Sequence, residues 1–222
     1  MNIAKVINKF IEAQNERLQR RTFRQYEQVM DSFSIYLNGY GYLHVDDETA
    51  ESEDLPFTKR VKIEELNNGH YREFFEYFLI RKMLASENEM KQSVTVLRKF
   101  ANWLFENQYI NSTKKDDLVN YFKDGQSQSL ANSQKVNDLL YELAMDTPAC
   151  NYEQTLSDYF TVDKVESRKL WVIDSYSTGE EIGPLIVTEE ISSLVEEQWE
   201  ISLTIGKHKD NWYVIESGNV YP

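Results

Sequence analysis

The chain has 222 residues, enough for one large or two small domains with their own cores. Its single cysteine, Cys150, excludes an internal disulfide and a cysteine-rich zinc site, and three widely separated histidines (His44, His70, His208) argue against a metal centre. The net charge is −13 and unevenly spread: residues 1–130 hold 18 Lys+Arg against 20 Asp+Glu, whereas residues 131–222 hold 6 against 17.

Six of the N-terminal acids crowd into Asp46–Asp54, and without them residues 1–130 stand near +4. An acidic whole therefore leaves room for a basic face. No apolar run approaches the ~18 residues of a membrane helix, and Met1–Phe10 lacks a signal-peptide core. The expectation is a cytoplasmic protein with no membrane partner.

Ile3, Val6, Ile7, Phe10 and Ile11 mark a first amphipathic helix. Thr22 and Gln25 have capping-box spacing. They predict a second helix from Thr22 to about Leu37, with Phe23, Tyr26, Met30, Phe33 and Leu37 on one face and Gly39 and Gly41 ending it. Arg17, Arg20, Arg21 and Arg24 crowd its start at steps that can line one surface. A helix N-terminus carries partial positive charge, so cations there are locally unfavourable. An anionic partner is the simplest reason for them. The competing reading is a solvated face paired with Glu16 and Glu27.

Residues 42–66 are polar and acidic and contain Pro56, which predicts a loop or insertion, mobile or partly strand-like. A third helix is expected from about Gly69 to Leu84, with Phe74, Phe75, Phe78 and Leu79 inward. Ser86 and Glu89 form a second capping-box pattern and open a fourth. Its apolar stripe is Met90, Val94, Leu97, Ala101 and Leu104, with Phe100 and Trp103 beside it. Lys91, Thr95, Arg98 and Asn102 form a parallel polar stripe flanked by Lys99. Cations mixed with short polar groups suit both backbone and base-edge contacts, although Glu87 and Lys91 also fit an ordinary i,i+4 pair. Lys114 and Lys115, offset by Asp116 and Asp117, read as solvated. Leu118, Tyr121 and Phe122 belong to a short fifth helix. The aromatics of helices two to four sit at core spacing.

Gly125–Ser129 reads as a linker, followed by a helix over about Ser133–Ala144 that Thr147-Pro148 stops. From about residue 160 the period changes. Leu170–Ile173 and Pro184–Val187 look like buried strands, Ile201, Leu203 and Ile205 alternate with polar residues, and Asn211–Ile215 follows a turn at Gly206–Asp210. Thr188–Glu197 fits a short helix with Glu189 and Glu190 in its favourable first turn. Trp171, Trp199 and Trp212 are expected in this core, with one partly exposed. The fold class is α+β. A four- to five-helix N-terminal bundle (1–124) precedes a linker with a helix (125–159) and a small acidic β-rich domain (160–222), barrel-like or an antiparallel sheet.

Thr22-Phe23-Arg24-Gln25-Tyr26, the run Phe33-Ser34-Ile35-Tyr36-Leu37 with Gly39 and Gly41, and Leu97–Leu104 ending near Tyr109-Ile110-Asn111 resemble the N-terminal core-binding (SAM-like) domain of tyrosine recombinases and phage integrases. The resemblance spans roughly residues 1–123. It implies a helical DNA-binding domain whose second and fourth helices face DNA. The chain departs from that pattern in its acidic segment at 46–54, longer than the usual connection. It also has Asn111-Ser112 where the family commonly has Asn-Pro.

The recombinase catalytic constellation is absent from the sequence. His44, His70 and His208 are followed three residues on by Asp47, Glu73 and Asn211, not by arginine, and Arg168 is the one arginine in residues 131–222. Without an arginine pair to hold a phosphate, Tyr221 reads as a strand end and not a nucleophile. Cys150 lacks a nearby histidine and reads as an inert thiol. Ser175–Glu181 has one glycine and two acids and reads as an exposed loop, not a phosphate cradle. The sequence thus leads to a non-enzyme without cofactor that binds double-stranded DNA through Arg20, Arg21, Arg24, Lys91, Thr95, Arg98 and Lys99. Its acidic domain would face a protein partner or another copy. The alternative is an acidic interaction module that uses the helices only as scaffold, possibly competing with DNA for a basic partner.

Overall fold

The structure, a computed structural model, describes residues 1–46, 49, 55–122, 126–148, 150–174 and 179–222, the side chains of 126 and 127 excepted. The chain forms two compact units. One comprises Met1–Leu79 and Asn88–Ser127, the other Ile80–Glu87 and Gln128–Pro222. The first is helical and the second is built on a β-barrel, so the fold is α+β.

In the first unit α1 spans Ile3–Asn15 and α2 spans Arg20–Tyr40. Asn2 caps α1 by accepting from the Lys5 amide, and Ile3, Val6, Ile7 and Phe10 face inward. α2 begins at Arg20, with Gln19 as an N-cap that provides no side-chain bond. The predicted capping box at Thr22 is therefore not used, and Arg20 and Arg21 occupy the first turn. At the other end Gly39 lies inside the helix, and Gly41 is its C-cap. A Cβ at Gly41 would stand 2.8 Å from the Phe57 ring, so the close packing needs glycine there.

The loop expected over 42–66 is largely structured where described. A 3-10 turn at Gly41–His44, the short helix α3 (Phe57–Arg60) and a second 3-10 turn at Ile63–Glu65 bury Phe57, Val61, Ile63 and Leu66. The Asn38 side chain accepts from both the amide and the hydroxyl of Thr58 at 3.0 Å. The Ile3 and Ile63 amides bond the Val61 and Met1 carbonyls at 3.0 Å. This strap holds the start of α1. Residues 47, 48 and 50–54 of the acidic run lie outside the described residues.

α4 (Asn68–Glu73) continues into a π-helical stretch, Phe74–Lys82, with Phe74, Phe75, Phe78 and Leu79 buried as their spacing predicts. α5 (Glu87–Glu106) starts directly after Ser86, where the second capping-box pattern places it. α6 (Ser112–Asn120) is capped by Asn111, whose side chain accepts from the Lys114 amide at 2.8 Å. Lys114 and Lys115 lie within that helix, and Lys115 Nζ sits 4.9 Å over the Phe105 ring.

In the second unit, the linker expected at Gly125–Ser129 is helical from Gln126. α7 runs Gln126–Asp146. Five strands follow: β1 (Gln154–Glu166), β2 (Lys169–Asp174), β3 (Glu181–Ile186), β4 (Glu200–His208) and β5 (Asn211–Tyr221). They close in the order β1-β2-β3-β5-β4, with β3 and β5 parallel and the other neighbours antiparallel, a small Greek-key barrel. α8 (Glu189–Leu194) links β3 to β4, with the Thr188 hydroxyl capping the Ile191 amide and Glu189 and Glu190 in the first turn. Phe160, Val162, Leu170, Val172, Ile201, Leu203, Ile205 and Val214 fill the interior, joined by Ile191 from α8 and by Val136 and Leu140 from α7. Trp199 and Trp212 are buried with this core. Trp171 is only half-buried, and Lys164 Nζ lies 4.7 Å over its ring. No helix among the described residues is long and apolar enough to cross a membrane.

Candidate nucleic-acid interface

Phe10 is the hub of the basic end of the helical unit. Its ring lies 6.0 Å from Tyr26 in α2 and 5.0 and 5.5 Å from Phe100 and Trp103 in α5. The first turns of α2 and the later turns of α5 thus flank the same stretch of α1. Phe10, Tyr26 and Phe100 are packing groups, as their spacing predicts, whereas Trp103, which stacks on Tyr109 at 5.5 Å, also lines a groove.

Arg20, Arg21 and Arg24 are exposed on α2, and at 3.6 residues per turn they project within an arc of about 100°. No ion pair or side-chain hydrogen bond among the described residues engages any of the three. The pairing with Glu16 or Glu27 is not formed. These guanidinium groups stand where the backbone amides of an uncapped helix start already concentrate positive charge.

The stripe on α5 divides. Lys91 and Thr95 are exposed near its start, and the Thr95 hydroxyl donates back to the Lys91 carbonyl at 2.9 Å. Arg98 ties α5 to the residues after α6. Its guanidinium donates to the Phe122 carbonyl at 3.2 Å and lies 5.5 Å over the Phe122 ring. Lys99 lies about 12 Å along the axis from Lys91. It shares a groove of about 190 Å³ with Arg17, the residue that leads from α1 into α2. The structure therefore joins Lys99 to the α2 arginine region through Arg17. It places Thr95 one turn and Lys91 two turns away along α5.

Sequence reasoning missed Gln14. This residue continues the Phe10 row one turn on, is only 2 % exposed, and lines the same groove, with no described partner for its side chain. Asn102 and Trp103 form the opposite wall, and the Asn102 amide donates to the Arg98 carbonyl at 3.0 Å. A polar residue at the inward spacing of an apolar stripe was the available signal.

Elsewhere, Tyr221 ends β5. Asn219 donates to its hydroxyl at 3.2 Å, and burial pushes the phenol pKa up. Cys150 is exposed. Among the described residues no group of three or more His, Cys, Asp or Glu could hold a metal ion. Residues 175–178 of the Ser175–Glu181 stretch lie outside the described residues. No family model, curated protein or solved structure matches the chain.

Proposed function

We propose that the protein is a non-catalytic, DNA-binding or recombinase-associated protein whose helical unit tracks the phosphate backbone. The observation that carries this reading is the trio Arg20, Arg21 and Arg24: exposed, on one arc, without a carboxylate partner, and at the positive end of α2. Arg17 and Lys99 extend the basic surface along the groove, and Lys91 and Thr95 lengthen it along α5. The resemblance of residues 1–123 to a recombinase core-binding domain supports the same assignment. Phosphate contacts position a protein on a duplex without reading sequence, and arginine suits them by its fixed fork of donors.

Titration of the full chain with duplex DNA across a salt series tests this. Roughly four to six phosphate contacts give a log–log slope of about −4 to −5. Reversing Arg20, Arg21 and Arg24 to glutamate should abolish binding at low salt. Undetectable binding of the parent chain, or binding indifferent to that reversal, overturns the reading.

A second reading is favoured by the charge of residues 131–222, with 6 Lys+Arg against 17 Asp+Glu. Here the barrel unit is an acidic surface for a basic protein, with which DNA would compete. Salt-sensitive retention of a basic protein such as lysozyme by a chain that ignores DNA would favour it.

A further inference from the structure

The groove between α1 and α5 is more than a continuation of a basic surface. Its walls carry three different chemistries. Arg17 and Lys99 supply cations, Gln14 and Asn102 supply amides, and Trp103 supplies an aromatic surface, with the Glu106 carboxylate at the rim. Lys99 and Trp103, Asn102 and Glu106, and Phe10 and Gln14 are each i,i+4 pairs, so two helical rows face one another across it. A groove that served only a phosphate would have no use for a carboxylate. Gln14 is only 2 % exposed and no described residue bonds its side chain, yet its amide is not among the buried polar atoms left without a partner, and the residue lines this groove.

A nucleotide matches all three chemistries. Its phosphate suits the two cations. Its base has a π-face for Trp103, and stacking on aromatic side chains is indifferent to base identity. Its edge presents donors and acceptors: an amide can pair with adenine through one donor and one acceptor, and a carboxylate accepts from an exocyclic amine. The volume, about 190 Å³, is several times that of a water molecule and opens to solvent, as a single inserted base requires. A base inside an intact duplex cannot reach such a site, so the occupant must be unpaired.

We propose that this groove is a subsite for one unpaired nucleotide of the DNA ligand. The base lies against Trp103, its edge is met by Gln14 and Asn102, and its phosphate is held by Arg17 and Lys99. This rests on the DNA-binding reading above and adds a preference that backbone contacts alone cannot give.

The test uses the full chain and three labelled duplexes of one sequence: fully paired, with a single bulged adenine, and with an abasic residue in the bulge. The bulged adenine should bind about tenfold more tightly than the paired duplex, and the abasic bulge should match the paired one. Gln14→Met, which keeps the size of the side chain, and Lys99→Gln should each erase that preference. Equal affinity for all three duplexes overturns the subsite and leaves the DNA-binding reading standing. If no duplex binds, the DNA-binding reading fails, and titration with deoxyadenosine monophosphate decides the groove on its own. A shift of the Trp103 indole resonance that Gln14→Met removes sustains it, and no shift overturns it.

Discussion

His70 is fully buried, and its ring contacts suit a neutral imidazole in one tautomer. Nε2 donates to the Gly41 carbonyl at 3.0 Å, at the end of α2. Nδ1 accepts from the Asn67 amide at 3.2 Å and so takes the place of a glutamate in the capping box that starts α4. Burial, and then the neighbouring His44, depress its pKa to about 3 from the ordinary 6.5. The unfolded chain therefore binds more protons between those values. Stability is retained above pH 6.5 and falls as the pH drops toward 3, by about 1.4 kcal/mol per unit from this residue. Chemical denaturation of the parent and of His70→Gln from pH 7 to pH 4 should give curves whose separation changes at that rate. Parallel curves would show that His70 is not held neutral. This role is not legible in the sequence, and that of Gln14 shows there only as a polar residue at inward spacing. His70 lies 29 residues from its carbonyl partner, and Gln14 reads as the polar end of an apolar stripe until α5 is seen to cover it.

α2 shows a conflict within one element. Its N-cap gives no side-chain bond, its first turn holds no acid, and two arginines stand there instead. If those cations serve a ligand, removing them should help the free protein. Arg20→Glu with Arg21→Glu should stabilise the unliganded chain by about 0.3–1 kcal/mol for each change at low salt, while weakening DNA binding. Denaturant midpoints at low and high salt check this. Lower stability would mean that the arginines make local contacts after all. The apolar period makes α2 itself legible, but the Thr22 box misplaces its start by two residues, because capping patterns are short and Gln19 is no standard cap. β1 is less visible. Leu156, Phe160 and Val162 keep alternation, then a bulge between Val162 and Lys164 lets Val165 return inward at odd spacing. The strap over Phe57–Glu65 has the sequence of a loop because its buried apolar residues follow no single period, and only packing on α1 and α2 orders them.

At the scale of the molecule, the proposed DNA surface and the acidic barrel belong to one chain of net charge −13, and a polyanion approaching it meets a repulsive field. The two units interleave in sequence, since Ile80–Glu87 groups with the C-terminal unit. A cut near residue 124 would strand that segment, so the opposing charge is better changed than deleted. Glu142, Glu196 and Glu197 are exposed and pair with no cation among the described residues. Replacing all three by glutamine raises the net charge by three without removing a described contact. If the barrel acts on DNA only through its field, the association rate of the triple variant with duplex DNA should rise several-fold at low salt. The gain should shrink toward ~0.15 M, where the screening length is about 8 Å. The dissociation rate should hardly move, because these residues would touch no DNA. Stopped-flow association at several salt concentrations separates the two rates. An unchanged association rate would mean that the acidic half does not oppose DNA, and its charge would then belong to the protein-binding reading.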